Sequence, residues 1–541
     1  MEGLMMNYPL TLPMIIEHGN RTFPHKEIVS IMPDKSRHSY TFADLYRRSK
    51  RLAHALRHQL GVGPGDMVGT YAWNHYQHME LYFGIPGAGA VCHTINIRLS
   101  AAQTEFIVND AEDKFIFIDA TLVPFFEKIQ SALESVRGYI IINVPEGFST
   151  TLVNWRDYEE LLAKGSEAHD WEPLQENDAC GMCYTSGTTG QPKGVLYSHR
   201  STVLHALMVA LPNHAGLSFH DSVLVIVPQF HVMAWGFPFG CVLSGCRIIM
   251  PSMHLQPEPI IRIIREEKAN KAAGVPTIWQ GVYAALKAEG THEGLPLREF
   301  FVGGASAAPS MIANFQKDFN ITAIHAWGMT ETSPVVTLSR LQPEHDELSD
   351  IQKIELRAMQ GQPIPGSEIR VMTEKDGVAP QDGKTPGEVQ VRGAWITDGY
   401  YHVNNRDSFT ADGWFRTGDV ATISPEGFMH ITDRTKDLIK SGGEWISSVA
   451  LELAIMAHPK VREASVIAIP DEKWSERPLA CIVLKDEKDS LGTEELHEFL
   501  SPHFAKYQIP DQLRFVKEIP KTSVGKFDKK EMRRLYAEGK M

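Results

Sequence analysis

The feature that most constrains the fold is a repeated alternation of helical and strand patterns between residues 41 and 327. Residues 41–66 predict a helix with Thr41 as N-cap and Asp44 in its first turn, ended by Gly61. The apolar segment "MVGTYAW" follows as a strand. The same order recurs at 78–95, 260–279 and 310–327. Helix-then-strand repetition predicts an α/β fold of mostly parallel, helix-covered sheets.

The pattern changes after about residue 365. Short alternating segments separated by Gly, Pro and Asp predict antiparallel hairpins, and hence a β-rich subdomain. Beyond the charged segment "DRTKD" at 433–437, helices followed by strands return over about a hundred residues. A chain of 541 residues is too long for one core, so we expect a large N-terminal domain and a small α+β C-terminal domain.

Composition excludes several classes of protein. The net charge of −13 argues against a nucleic-acid binder. The most apolar window, 230–246, contains a histidine, a proline and glycines, so we expect a buried wall and no transmembrane segment. Cys180 and Cys183 form a CxxC pair without further zinc ligands, which favours two buried thiols on a strand. No secretory signal pattern is visible, so we expect a cytoplasmic protein.

One loop carries a clear chemical signal. "TSGTTGQPKG" at 185–194 combines flexible glycines with hydroxyl side chains, so that several backbone N–H groups can converge on one anion. Lys193 adds a mobile positive charge suited to the outer phosphates. The spacing is not that of a Walker A loop. The residues predicted to hold phosphate are Thr185, Ser186, Gly187, Thr188, Thr189, Gly190 and Lys193.

Six further segments accompany this loop in order along nearly the whole chain. They are "PQFH" (228–231), "GGAS" (303–306), "AWGMTE" (326–331), "WFRTGD" (414–419), "DRTKDLIKSGGEW" (433–445) and "PKTSVGK" (520–526). Together the seven resemble the signatures of the acyl-adenylate-forming enzymes. Within that superfamily the sequence resembles the bacterial medium- and long-chain fatty acyl-CoA synthetases. The resemblance implies ATP, Mg²⁺ and coenzyme A as the small molecules bound.

The resemblance also implies a nucleotide site. A flat base could approach the glycines of "GGAS" and stack on Trp327, while Thr330 could donate to the α-phosphate. Glu331, with Thr185, is the expected Mg²⁺ ligand, and Asp419 would hold the ribose hydroxyls with help from Arg434. The implied ATP-site residues beyond the loop are Gly303, Gly304, Ala305, Ser306, His325, Ala326, Trp327, Gly328, Met329, Thr330, Asp419, Arg434, Lys436 and Lys440.

Catalysis is implied to depend on Lys526, with His231, Thr330 and Glu331 as further catalytic residues. A fixed cation would stabilise the charge that develops on phosphorus and on leaving pyrophosphate. In the family the C-terminal domain then rotates about the position of Lys436. This divides the chain into an adenylation domain (1–432), a hinge (433–438) and a mobile lid (439–541). The implied coenzyme A contacts are Gly442, Gly443, Glu444 and Trp445.

The acid is expected to bind near His231, Val232 and Trp235. Amino-acid-activating relatives carry an Asp where this chain has His231, so an α-ammonium would lack its partner. Met233, Phe237 and Phe239 suggest an apolar slot for an alkyl tail, although core packing explains the two phenylalanines equally well. A short thioether acid, a luciferase-like oxygenase and a non-catalytic nucleotide-binding protein remain alternatives. Analogy suggests a homodimer, and peripheral membrane association stays open.

Overall fold

The computed structural model describes residues 1, 3–185, 191–290, 294–373, 377–404, 406–441, 444–486, 489–522 and 526–541, without the side chains of residues 444 and 445. Its helices are α1 (Leu12–Thr22), α2 (Phe42–His58), α3 (Tyr76–Gly87), α4 (Ala101–Ala111), α5 (Val123–Ile129), α6 (Tyr158–Ala163), α7 (His199–Ala210), α8 (Phe237–Ser244), α9 (Pro257–Glu266), α10 (Pro276–Glu289), α11 (Pro309–Phe319), α12 (Asp350–Ala358), α13 (Ser448–Met456), α14 (Thr493–Leu500) and α15 (Lys529–Ala537).

The strands run through the whole chain. They are β1 (Glu27–Ile31), β2 (Arg37–Thr41), β3 (Met67–Tyr71), β4 (Val91–Thr94), β5 (Phe115–Asp119), β6 (Gly138–Ile142), β7 (Trp155–Asp157), β8 (Ala179–Tyr184), β9 (Gly194–Ser198), β10 (Ser222–Val225), β11 (Arg247–Met250), β12 (Lys271–Gly274), β13 (Glu299–Val302), β14 (Thr322–Gly328), β15 (Val335–Leu338), β16 (Gln362–Pro363), β17 (Ser367–Met372), β18 (Gly387–Gly393), β19 (Phe415–Ile423), β20 (Met429–Arg434), β21 (Ile439–Ser441), β22 (Glu444–Ile446), β23 (Val461–Asp471), β24 (Ser475–Leu484) and β25 (Gln512–Phe515).

Two large sheets form the N-terminal part. One has the strand order β16-β15-β14-β13-β12-β10-β11-β1-β2, parallel from β14 to β1 and antiparallel at both edges. The other has the order β7-β6-β5-β3-β4-β8-β9 and is parallel except for the pair β8/β9. The predicted α/β architecture of mostly parallel sheets is confirmed.

Helix α2 shows how closely local sequence determined an element. The Thr41 hydroxyl accepts the Asp44 backbone N–H, and the Asp44 carboxylate accepts the Thr41 N–H, which closes a capping box. The leucines at 45, 52 and 56 are fully buried on one face. The helix ends at His58, and Gly61, with φ of 64°, turns the chain afterwards. The predicted start of the helix is confirmed, and its last residue lies about one turn before Gly61.

The last third of the chain forms two smaller sheets. Strands β17-β18-β19-β20 are antiparallel throughout, as the hairpin pattern predicted. A separate sheet has the order β22-β21-β24-β23, with β25 added parallel to β24. The chain leaves the first sheet at Arg434 and enters the second at Ile439. The sheet therefore changes within the predicted hinge.

Two further expectations concern buried segments. Cys180 and Cys183 lie buried on β8, where their thiols hydrogen-bond the hydroxyls of Thr202 and Thr94. The apolar window 230–246 contains α8, whose residues 237–242 are buried in the protein core. In the part of the chain that the structure describes, no helix is long and apolar enough to cross a bilayer.

Candidate active site

A cavity of about 860 Å³ brings the sequence motifs together. It is lined by the phosphate-loop ends, the segment 303–306, the segment 325–331, strand β19, the 433–437 segment and Lys526. The predicted residues that line it are Thr185, Lys193, His231, Val232, Trp235, Gly303, Gly304, Ala305, Ser306, His325, Ala326, Trp327, Gly328, Met329, Thr330, Glu331, Asp419, Arg434, Lys436 and Lys526. Segments more than 340 residues apart thus share one site.

Two hydrogen bonds join the two ends of the phosphate loop. Thr185 donates its backbone N–H to the Lys193 carbonyl (2.9 Å), and the Lys193 N–H returns to the Thr185 hydroxyl (3.1 Å). The predicted residues Ser186, Gly187, Thr188, Thr189 and Gly190 lie outside the described residues. The Lys193 ammonium lies 4.8 Å from the centre of the Tyr400 ring, within cation–π range.

Asp419 holds a buried polar cluster together. Its Oδ2 accepts the indole N–H of Trp327 (3.0 Å), and its Oδ1 lies 3.0 Å from Nε of Arg434, its cross-strand partner on β20. Asp419 is only 3 % exposed. The carboxylate raises the pKa of Arg434, so the guanidinium stays charged. The arrangement fixes the edge of the Trp327 ring beside a carboxylate that accepts hydrogen bonds.

Glu331 lies in a short turn after β14 and is 8 % exposed. Burial raises its pKa, while the Tyr400 hydroxyl donates to Oε1 at 2.8 Å. The neighbouring Thr330 carbonyl accepts the Tyr197 hydroxyl (2.8 Å). The Glu331 carboxylate and the Thr185 hydroxyl both line the cavity. Such hard oxygen donors fit Mg²⁺.

Lys526 reaches this cavity from the C-terminal part of the chain. Two hydrogen bonds to Thr522 hold its backbone: the Thr522 N–H donates to the Lys526 carbonyl (2.7 Å), and the Lys526 N–H donates to the Thr522 hydroxyl (3.2 Å). Burial lowers the pKa of Lys526 to about 8, with Arg434 acting in the same direction and Asp419 opposing it. Burial, reinforced by the Lys526 charge, lowers the pKa of His231 to about 3, so His231 is neutral.

The predicted acyl end of the cavity has an unusual backbone. Residues 232–236 all have positive φ, from 35° at Val232 to 76° at Gly236. Each non-glycine residue in this conformation costs about 1–2 kcal/mol. All five residues are buried, and this packing holds the turn in place. The turn places Trp235 beside the 303–306 segment, since a Cβ on Gly303 would lie 3.2 Å from the Trp235 ring.

Not every predicted residue lies in the site. Met233, Phe237 and Phe239 do not line the cavity; the ring of Phe237 packs on Phe301 and that of Phe239 on Tyr82 and Phe83, so both are core residues. Lys440 is exposed on β21 and is not among the residues that line the cavity, and its nucleotide contact stays a prediction.

The four predicted coenzyme A residues remain predictions. Gly442 and Gly443 lie outside the described residues. Glu444 and Trp445 begin β22, and their side chains are likewise outside the description.

Polar contacts connect the 433–438 segment to helices α13 and α15. The buried Asp433 carboxylate accepts the Ser448 hydroxyl (2.7 Å) and backbone N–H (2.5 Å) at the start of α13. Asp437 pairs with Arg533 of α15 at 2.6 Å. These contacts join β20 and the following segment to the part of the chain that carries Lys526.

Among the residues that bond the predicted site, two tyrosines were not predicted from the sequence. Tyr400 and Tyr197 belong to none of the seven motifs, and their hydroxyls contact Glu331 and Thr330 only through the tertiary fold. The segment "DGYYHV" carries no local signal for such a contact. Only the position of Tyr197, three residues after the phosphate loop, places it near the site.

Comparison with protein families decides the identity. Residues 16–401 match the family described as AMP-binding enzyme, and residues 450–526 match its C-terminal domain. The chain belongs to the AMP-binding enzyme family. The two matches fall on either side of the 433–438 segment.

This AMP-binding enzyme is similar along nearly its whole length to curated relatives. The long-chain-fatty-acid–CoA ligase of Thermus thermophilus is 45% identical, over 98% of this chain and 96% of the relative. The 3-methylmercaptopropionyl-CoA ligase of Ruegeria lacuscaerulensis is 41% identical (98% and 98%). The medium-chain-fatty-acid–CoA ligase of Ectopseudomonas oleovorans is 40% identical (99% and 98%).

Solved structures share the fold. The anthranilate CoA ligase AuaEII in complex with anthranoyl-AMP has a TM-score of 0.86 at 23% identity, covering 99% of this chain and 98% of that one. ATP-bound MatB from Rhodopseudomonas palustris has a TM-score of 0.84 at 23% identity, covering 99% and 100%. The resemblance inferred from the seven motifs is confirmed at the level of fold and family.

Proposed function

We propose that this AMP-binding enzyme is an ATP-dependent fatty acid–CoA ligase. The observation that carries the proposal is that Lys526 lies in one cavity with Glu331 and the Asp419–Arg434 pair. The first step joins the acid to AMP and releases pyrophosphate. The second transfers the acyl group to the thiol of coenzyme A and releases AMP.

In the first step an oxygen of the substrate carboxylate attacks the α-phosphorus of ATP, and the bond between that phosphorus and the bridging oxygen breaks. Lys526, in its ammonium form, stabilises the charge on the carboxylate and the α-phosphate. Lys193 holds the departing pyrophosphate. Asp419 accepts the ribose hydroxyls beside the Trp327 indole. Glu331 and Thr185 would hold Mg²⁺, which neutralises phosphate charge when bound.

The second step needs Lys526 to leave, because the thiol must reach the acyl carbonyl. We propose that residues 439–541 form a lid that turns about Lys436 relative to residues 1–432. The proposed turn would bring residues 442–445 towards the cavity, where their two glycines leave room for the pantetheine arm. The thiolate then attacks the carbonyl carbon, and the bond from that carbon to the AMP oxygen breaks.

The acid is proposed to be a medium- or long-chain fatty acid. The apolar side chains of Val232 and Trp235 line the cavity beside a neutral His231, which offers no anionic partner for an α-ammonium group. A short thioether acid is the second candidate, since the Ruegeria relative carries that activity in its name.

A homodimer is proposed by analogy alone, and light scattering tests it.

A substrate panel tests the function. Purified protein is supplied with ATP, Mg²⁺, coenzyme A and acids from C2 to C18, together with 3-methylthiopropionate, and the nucleotides are separated by chromatography. We expect AMP, pyrophosphate and the acyl-CoA, with highest kcat/KM for a C8–C16 acid. ADP and phosphate would refute the mechanism, and nucleotide binding without pyrophosphate exchange would indicate a non-catalytic protein. Light emission with luciferin would indicate an oxygenase, and preference for the thioether acid would replace the fatty acid.

A further inference from the structure

The segment 397–401 connects the two sides of the proposed triphosphate site. At one end the Thr397 N–H donates to the Glu331 carbonyl (2.8 Å), and at the other the Tyr401 N–H donates to the Gly194 carbonyl (2.8 Å). Gly194 directly follows Lys193 of the phosphate loop. The backbone of this segment therefore ties the Glu331 turn to the base of that loop.

Tyr400 occupies the position between these two attachments. Its hydroxyl donates to Oε1 of Glu331 at 2.8 Å, and the Ser408 side chain hydrogen-bonds the Tyr400 hydroxyl. Its ring lies under the ammonium of Lys193. All four side chains line the same cavity. The Tyr400 O–H group is thus fixed by one neighbour and directed at one carboxylate oxygen.

A carboxylate can bind a cation through either oxygen. Free rotation about the bond from Cγ to the carboxyl carbon would leave the position of the binding oxygen undefined. Here Oε1 accepts the Tyr400 hydroxyl in a largely buried setting, so rotation of the carboxylate is restricted while lone pairs on its oxygens stay available to a ligand. Groups that orient a metal ligand in this way typically change metal affinity 10–100-fold when they are removed.

We propose that Tyr400 is a positioning residue that presents the Glu331 carboxylate, in one orientation, to the divalent cation bound with ATP. The proposal rests on the proposed function, because it takes Glu331 as the cation ligand. It assigns Tyr400 no contact with the reacting atoms.

The test is Tyr400→Phe, which keeps the ring under Lys193 and removes only the hydroxyl. Mn²⁺ binding is titrated by electron paramagnetic resonance in the presence of α,β-methylene-ATP, which cannot transfer its AMP moiety. We expect the Mn²⁺ affinity of the enzyme–nucleotide complex to fall about tenfold. The KM for ATP at saturating Mg²⁺ should change by less than about twofold, because phosphate-loop contacts are retained.

Tyr283→Phe is the matched control. The Tyr283 hydroxyl also donates to a carboxylate, Asp318 at 2.7 Å, but outside the cavity. We expect this variant to bind Mn²⁺ as the parent does. Comparing thermal midpoints of both variants separates a loss of stability from a loss of positioning.

A double variant shows whether Tyr400 acts through Glu331. In the Glu331→Gln background, Tyr400→Phe should cause no further loss of Mn²⁺ affinity. Unchanged affinity in Tyr400→Phe alone, or an equal loss in both backgrounds, would overturn the proposal. Absence of AMP and pyrophosphate formation by the parent enzyme would instead refute the proposed function.

Discussion

Replacement of Lys526 distinguishes the two proposed half-reactions. With Lys526→Ala, adenylation loses the cation that stabilises the transition state, and loss of one such buried group costs about 3–4 kcal/mol, or 10²–10³ in rate. Conversion of supplied acyl-AMP by coenzyme A should keep its rate within about threefold, since Lys526 is proposed to be outside the site in that step. Equal losses in both half-reactions would refute the assignment.

The depressed pKa of Lys526 adds a pH signature. Burial lowers that pKa to about 8, and a lysine is cationic only below its pKa. The competent form therefore disappears as pH rises through about 8, and about a tenth of it remains at pH 9. The kcat/KM of adenylation should fall about tenfold per pH unit above that point. The corresponding limb in kcat should lie at higher pH, because bound triphosphate favours the ammonium form.

Lys526→Arg checks this interpretation, because a guanidinium stays charged across the accessible range. We expect a slower enzyme whose basic limb is absent. The assay is pyrophosphate release from pH 6 to 10, with Lys460→Ala as control. Lys460 pairs with Glu495 at the surface of the same part of the chain, and its loss should leave the profile unchanged. A basic limb that persists in Lys526→Arg would assign the titration to another group.

Three further substitutions probe the acyl end, the 433–438 segment and one helix. Trp235→Ala should shift the preference for acid chain length while the KM for ATP stays within about twofold. An unaltered chain-length preference would mean that Trp235 only packs in the core. Asp433→Ala should slow adenylation about tenfold but spare acyl-AMP conversion, since it breaks the Ser448 contacts that join β20 to the part of the chain carrying Lys526; the rates of the two half-reactions measure this. Thr41→Ala should lower the free energy of unfolding by about 1 kcal/mol without changing activity, as denaturant titration would show.

Local sequence was sufficient where neighbouring residues determine the geometry. The capping box of α2, the parallel strands between helices and the antiparallel hairpins after residue 365 all follow from patterns a few residues long. The resemblance then identified residues such as Asp419 and Glu331, and the structure places them in one cavity. Their binding roles stay predictions.

What the sequence did not reveal depends on long-range contacts or on strain. Tyr400 contacts Glu331 across 69 residues, and nothing within its own segment indicates the partner. The left-handed turn at 232–236 contains only one glycine, so conformational preference argues against it. Phe237 and Phe239 fit a tail-binding slot and a core equally well, because side-chain type alone does not tell which face of a buried helix adjoins a cavity.

The contacts between residues 1–432 and 439–541 are of the kind that the proposed departure of Lys526 requires. Within the described residues, the hydrophobic clusters of 439–541 contain no residue from the part before 433, and the N-terminal clusters contain none from 439 onward. The Ser447 hydroxyl donates to the Thr432 carbonyl between the two parts, and Asp433 and Asp437 of the connecting segment bond Ser448 and Arg533. A net hydrogen bond is worth only about 0.5–1.5 kcal/mol because water replaces it, whereas separating a shared apolar core would cost about 25 cal/mol per Å². The proposed lid, held by polar contacts, can therefore be firm enough to place Lys526 for one step and loose enough to withdraw it for the next.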